Sequence, residues 1–270
     1  MKFFSVVLLS VFLFSCQGIN KVLKSKDAHY KLRVAEQYYA KGKYNYAQQL
    51  YEDVMPFFKS GAEFEDIYYK YAYTAYHQRD YLNAENLFKT YLEIFPNSTR
   101  AEEVEYMRAY TYYKQSPKAA LDQTATIKAM GMMQTFINTH PGSARNEEAQ
   151  KIINDLRAKL EVKDRNAAQL YFDMGQFRAA AVAFNTLLND YPDTETGDLY
   201  KMMSIRSYYR FAEMSVEEKK AERYEKVIDE VNEFLDRFPQ SSLAKEAESF
   251  LNLSKNNLNK YTNEPVKTTT

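Results

Sequence analysis

The chain has 270 residues, and its 36 Lys plus Arg are balanced by 36 Asp plus Glu, so no basic excess points to nucleic acid. Seven glycines and seven prolines are too few for a loop-rich all-β fold, and with abundant Ala, Glu, Lys, Gln and Leu they predict an all-α protein. Tryptophan is absent, whereas tyrosine occurs 24 times.

In chain order, Lys2 and the apolar run from Phe3 to Phe14 have the layout of a signal peptide and are too short to span a membrane. The run ends in Leu13-Phe14-Ser15-Cys16, and Cys16 is the only cysteine. This pattern resembles a bacterial lipoprotein lipobox, which implies loss of residues 1–15 and lipidation of Cys16 on its thiol and new amino terminus. A free or buried thiol is the bland alternative, and the isolation of Cys16 behind an apolar run disfavours it. Gln17 follows rather than Asp, which by resemblance to lipoprotein sorting signals implies the outer membrane, facing the periplasm. Without the leader the chain keeps 35 basic against 36 acidic residues, so acyl chains rather than net charge would hold it to lipid. Residues 16–27 then read as a lipidated polar tether that sets the fold away from the bilayer.

From Ala28 a helical pattern begins and recurs. A small or apolar residue followed by an aromatic pair appears in AEQYY at Ala35, AYTAY at Ala72, AYTYY at Ala109, AQLYF at Ala168 and IRSYY at Ile205. The continuations recur too: Gly42, Tyr44, Ala47 and Tyr51; then Tyr81, Ala84, Phe88 and Pro96; then Gly175, Phe177, Ala180, Phe184 and Pro192. This spacing resembles the tetratricopeptide repeat, a helix A–turn–helix B unit. The small residue lets A approach B, the glycine turns the chain, and the proline stops B. Ser98, Ser143, Thr194 and Ser241 each stand two residues after a proline, where they are expected to cap the following helix.

Departures from the pattern are informative. Arg79 replaces the turn glycine of repeat two, about eight extra residues follow Tyr113 around Ser116-Pro117, and a similar insertion is expected from about Glu213 to Arg223. Ala149, Ile152, Ile153, Leu156 and Leu160 predict a long helix leading into repeat four, with a hinge or an extra helix as the alternative. The expected organisation is an all-α tetratricopeptide-repeat solenoid of about five repeats with a C-terminal capping helix. Residues 28–142 hold repeats one to three, 143–260 the linking helix with repeats four and five and the cap, and 261–270 a disordered tail.

No catalytic constellation emerges. His29, His77 and His140 lack metal-ligand spacing, and no phosphate-binding glycine loop, nucleophile elbow or zinc-protease pair is present. Neither an enzyme nor a metal or cofactor is expected. Tyr69, Tyr73 and Tyr76 are spaced i, i+4, i+7, as are Tyr106, Tyr110 and Tyr113, so each set shares one helical face. Tyrosine suits peptide capture because it offers large apolar area, few rotamers and a hydroxyl. The competing role for these rings is packing between repeats.

The lipobox, the five divergent repeats, the stretch Tyr106-Met107-Arg108-Ala109 and the insertion holding Asp122-Gln123 resemble the BamD family, lipoproteins of the outer-membrane β-barrel assembly machinery. The resemblance implies a non-catalytic scaffold. Its C-terminal repeats would bind the periplasmic domains of an Omp85-type barrel insertase, with Arg206 and Arg210 as candidate contacts. Its N-terminal repeats would bind the terminal strand of unfolded outer-membrane proteins, and the two tyrosine sets are the candidate groove. The alternatives are another periplasmic repeat adaptor, serving envelope division or pilus assembly, and a glycan-binding uptake lipoprotein, which the absence of tryptophan disfavours.

Overall fold

The computed structural model describes residues 17–263; Cys16, the leader and residues 264–270 lie outside them. The described residues form twelve α-helices and no strand. After α1 (Gln17–Leu23) come three helix pairs, α2 (Ala28–Ala40) with α3 (Tyr44–Phe58), α4 (Phe64–His77) with α5 (Tyr81–Ile94), and α6 (Ala101–Gln115) with α7 (Thr124–Thr139). The 28-residue α8 (Asn146–Asp173) is followed by α9 (Phe177–Asp190), α10 (Gly197–Glu213), α11 (Glu217–Arg237) and α12 (Ala244–Asn263). Two compact units meet in sequence between Leu156 and Arg157. In α8, Ala149, Ile152, Ile153 and Leu156 belong to the core of the first, and Ala168 to that of the second.

Each pair follows the same packing rule. The A-helix residues Ala35, Ala72, Ala109, Ala168 and Ile205 are all buried, so the partner helix can come close. On the B helices, Ala47, Ala84, Ala129, Ala180 and Val227 are buried. So are the residues four positions on, Tyr51, Phe88, Met133, Phe184 and Val231, and those seven on, Val54, Tyr91, Phe136, Leu187 and Phe234. One i, i+4, i+7 stripe per B helix therefore builds the core.

The turns inside the pairs need a left-handed residue. Gly42 and Gly175 supply φ of 68° and 73°, and Arg79, at the matching place in repeat two, adopts 63°. A side chain in that region costs about 1–2 kcal/mol, of which the greater freedom of glycine in the unfolded chain returns part. Arg79→Gly is therefore expected to raise stability by about 0.5–1 kcal/mol, and Arg79→Val to lower it, in urea unfolding monitored by circular dichroism.

B helices end alike. Phe95, His140, Tyr191 and Phe238 precede the prolines and leave the helical region at φ/ψ of −123/59°, −124/62°, −125/62° and −128/55°. Proline disfavours helical geometry in the residue before it, which sets the stop. The hydroxyl that follows does something other than cap the next helix. Ser98, Ser143, Thr194 and Ser241 accept a bond from the backbone N–H two residues on, at 2.9, 3.1, 3.3 and 3.1 Å. They donate to Glu65, Glu102, Glu161 and Asp198 at 2.7, 2.5, 2.6 and 2.6 Å, so each turn is bonded to the A helix of the preceding repeat. Every one of these acids lies seven residues before the small or apolar A-helix position.

Three further features refine or correct the sequence expectation. The segment 213–223 is not an inserted loop, since only Met214, Ser215 and Val216 separate α10 from α11. Its extra residues lengthen the helices, as the strong helix formers of EEKKAER and the acidic first turn of α11 favour. The insertion after Tyr113 is a built loop. Gln123, 5 % exposed, donates to the carbonyls of Lys118 and Leu121 at 2.9 and 3.0 Å and accepts from Thr126 at 2.6 Å. Finally, the segment expected as a polar tether contains α1, whose Ile19 and Val22 are buried with Leu50, Val54 and Phe58.

Candidate functional site

Side chains join the A helices of the first unit to one another. Glu36 on α2 accepts from Lys70 on α4 at 2.6 Å, and Glu103 on α6 accepts from Tyr69 and Tyr73 on α4 at 2.9 and 2.6 Å. The tyrosine sets on α4 and α6 thus face each other across a short gap, with Tyr76 and Tyr110 at a centroid distance of 6.4 Å. The rings are also in mutual contact along each helix: Tyr69–Tyr73 at 4.7 Å, Tyr73–Tyr76 at 6.2 Å, Tyr106–Tyr110 at 5.8 Å and Tyr110–Tyr113 at 5.4 Å. Offset and tilted contacts of this kind hold aromatic rings in fixed orientations.

The six tyrosines are not equivalent. Tyr106 is 2 % exposed and packs on Phe136 at 5.5 Å, so it belongs to the core rather than to an accessible face. Arginines two residues after the turn hydroxyls cover the matching pair of rings, Arg100 over Tyr69 at 4.4 Å and Arg145 over Tyr106 at 5.1 Å. Tyr73, Tyr76, Tyr110 and Tyr113 remain half-buried. Burial pushes the Tyr73 and Tyr69 phenols up from their ordinary value, and the bond to Glu103 adds to this, so both stay neutral donors. Among the described residues, the hydroxyls of Tyr76, Tyr110 and Tyr113 make no hydrogen bond and are available to a ligand.

Neighbouring side chains complete the strip. Phe88 supports Tyr73 from below at 5.2 Å, edge to face. The exposed His77 stacks on Tyr44 at 4.2 Å and 14°, extending the aromatic strip to repeat one, and the rings around it push its imidazole below the ordinary value. Glu103 and Glu36 were hidden because their partners lie 30 to 34 residues away. The acid of each turn latch did carry a signal, its fixed place seven residues before the small or apolar position.

In the second unit the two candidate contact arginines already have partners. Arg206 grips Glu246 on α12 with two bonds of 2.7 Å and fixes the last helix. Arg210 bonds Glu213 at 2.7 Å one turn along and lies over Phe177 at 5.5 Å. Sequence position had placed both on one helix; the structure separates a structural clamp from a more exposed cation. Among the described residues no group of His, Cys, Asp and Glu could hold a metal ion, and no helix is long and apolar enough to cross a membrane.

Paired helices with a left-handed turn, a stripe of small residues and an aromatic A-helix face define a tetratricopeptide-type repeat protein. Residues 24–222 match the YfiO family, described as outer membrane lipoprotein. The chain belongs to this family of BamD-like outer membrane lipoproteins. No curated protein matches the chain. Among solved structures it is similar to the TPR2AB-domain:pHSP90 complex of yeast Sti1, at 12 % identity and a TM-score of 0.39, over 84 % of this chain and 98 % of that one. It is also similar to a Podospora anserina kinesin light chain with nearly identical TPR-like repeats, at 11 % identity and a TM-score of 0.33, over 79 % and 96 %. At such scores neither bears on the repeat assignment, which rests on the helix pairs themselves.

Proposed function

We propose that the chain is a non-catalytic scaffold of the β-barrel assembly machinery, lipid-anchored through Cys16 on the periplasmic side of the outer membrane. In this reading the N-terminal repeats hold the terminal strand of unfolded outer-membrane proteins, and the C-terminal repeats hold the periplasmic domains of an Omp85-type insertase. Family membership supports the setting. The observation that carries the client site is the strip formed by Tyr73, Tyr76, Tyr110 and Tyr113, half-buried rings in contact with one another, three of them with uncommitted hydroxyls. An extended peptide ending in an aromatic residue would lay its side chains against the rings and its backbone groups against the hydroxyls. Of the two arginines, Arg210 is the better insertase contact, because Arg206 is spent on Glu246.

Tyr73→Ala combined with Tyr110→Ala is expected to weaken binding of such a peptide by about tenfold or more while the protein stays folded, since truncated aromatic anchors commonly cost over 1 kcal/mol each. Fluorescence anisotropy with a labelled peptide, alongside circular dichroism, reads both quantities. Unchanged affinity in the folded double variant would remove the client site. Co-purification from detergent-solubilised envelopes tests the assembly: an Omp85-type barrel supports it, and a pilus or division partner in its place refutes it.

A further inference from the structure

The start of the described chain does not behave as a free spacer. Ile19 and Val22 seat α1 on α2 and α3, at 7 % and 6 % exposure, so Gln17, the neighbour of Cys16, begins a docked helix. Basic residues dominate what α1 and its exit turn expose: Lys21, Lys24 and Lys26 are exposed beside Asn20, and none of the three lysines has a salt-bridge partner among the described residues. Asp27, the acid of this segment, is occupied in accepting from the Tyr30 N–H at 2.9 Å, and nearby Asp53 is neutralised by Lys31 at 2.5 Å. Residues 17–33 carry five basic and one acidic residue, whereas residues 34–270 carry 30 basic and 35 acidic. Neutrality of the whole chain thus conceals one positive end.

Aromatic groups accompany the lysines. His29 packs edge-on against Phe58 at 5.0 Å, which places the start of α2 beside the end of α3. There Phe57 stands 71 % exposed and Tyr30 39 %, with Lys59 exposed next to Phe58. Exposed aromatic rings together with lysines that have no salt-bridge partner among the described residues are the composition of a surface that rests in a lipid headgroup layer, where the rings enter the interface and the ammonium groups meet phosphate.

We propose that the α1 segment and the adjoining ends of α2 and α3 form a membrane foot for anionic phospholipid headgroups, a second attachment beside the acyl chains. The proposal builds on the reading that Cys16 is lipid-anchored, because that anchor brings this end of repeat one to the bilayer. Lys21, Lys24, Lys26 and Lys59 bind phosphate by charge, and Phe57 inserts between headgroups. A lipid anchor alone leaves the protein free to swing; the foot holds repeat one against the surface.

The test uses the mature chain with Cys16→Ser, which carries no acyl group, in flotation with phosphatidylcholine vesicles and with vesicles that also contain phosphatidylglycerol. Partitioning is expected to require phosphatidylglycerol, to fall with salt, and to drop about 100-fold in the triple variant Lys21→Gln, Lys24→Gln, Lys26→Gln. Phe57→Ser is expected to lower it several-fold at either salt concentration. Equal partitioning into both vesicle types, or an unchanged triple variant, overturns the foot. So does a triple variant that loses an acidic co-purifying protein without losing vesicle binding. The intact mass of wild-type protein from envelopes tests the anchor independently: an unmodified Cys16 with preserved phosphatidylglycerol binding defeats the anchor alone, and a lipidated Cys16 without that preference defeats the foot alone.

Discussion

Lys201→Met should lower the unfolding free energy by about 3 kcal/mol, at the lower end of the range for stranding a buried charge. Lys201 is 1 % exposed on α10, with its Nζ 2.7 Å from Glu230 and 2.6 Å from Glu233 on α11. Glu230 is 2 % exposed and also receives Lys226 at 2.7 Å and Asn185 at 3.0 Å. Burial pushes its carboxyl up, but the bonds from Lys201, Lys226 and Asn185 outweigh burial and hold it below the usual range. Methionine fills similar volume yet leaves Glu230 with the half-exposed Lys226 as its remaining cation, which is why the cost stays near the lower end. A group with a depressed folded pKa contributes stability that is complete above its unfolded value and is lost as pH falls through the folded one. Wild-type stability should therefore decline on acidification below the ordinary carboxylate range, and Lys201→Met should flatten that limb. Urea titrations across acidic pH measure both effects. Adding Glu230→Leu should cost less than the sum of the single changes, because the second substitution removes the charge that the first left stranded.

Phe88→Ala is the apolar counterpart, with an expected cost of about 3–5 kcal/mol. Phe88 is fully buried among Ala72, Ala84, Tyr91 and Ala109, and its ring meets Tyr73 edge to face at 5.2 Å. The vacated volume lies beneath the tyrosine strip, so Tyr73 is expected to sink toward it and peptide affinity to fall along with stability. Phe88→Leu retains much of the volume and should cost under about 1.5 kcal/mol while leaving peptide affinity near wild type. Thermal unfolding and peptide titration on the two variants separate support of the strip from general loosening. Equal affinity in Phe88→Ala and wild type would show that the strip does not depend on the ring beneath it.

What could be read from the chain alone depended on the reach of each constraint. Ala35, Ala72, Ala109, Ala168 and the B-helix pair Ala84 and Phe88 were legible because close helix packing imposes residue size at fixed spacing. Arg79 could be placed at the turn because its neighbours repeat, although its residue type argues against φ of 63°. The turn hydroxyls were found but misassigned, since caps are local while Glu65 and Asp198 lie 33 and 43 residues from their partners. Two sets of tyrosines with one spacing looked alike, and only Phe136 from the following helix shows that Tyr106 is core. Ile19, Val22 and Leu23 were three apolar residues in a polar stretch, too few to signal a helix without the surface that receives them. Of the candidate groove, four half-buried rings remain accessible.

The turn latches have one gap. The position seven residues before Ala35 is Ala28, and α3 ends at Phe58 with Pro56 inside the helix, so the following Lys59-Ser60-Gly61 lacks the proline-x-hydroxyl order of the later turns. Repeats one and two are joined instead by Glu36 and Lys70, with Asp66 2.7 Å from the same ammonium. Solvated ion pairs weaken with ionic strength, whereas hydroxyl–carboxylate bonds to a turn resist it. Salt therefore acts on this linkage without a hydroxyl latch to back it: as concentration rises, the Glu36–Lys70 pair that joins repeats one and two is expected to loosen.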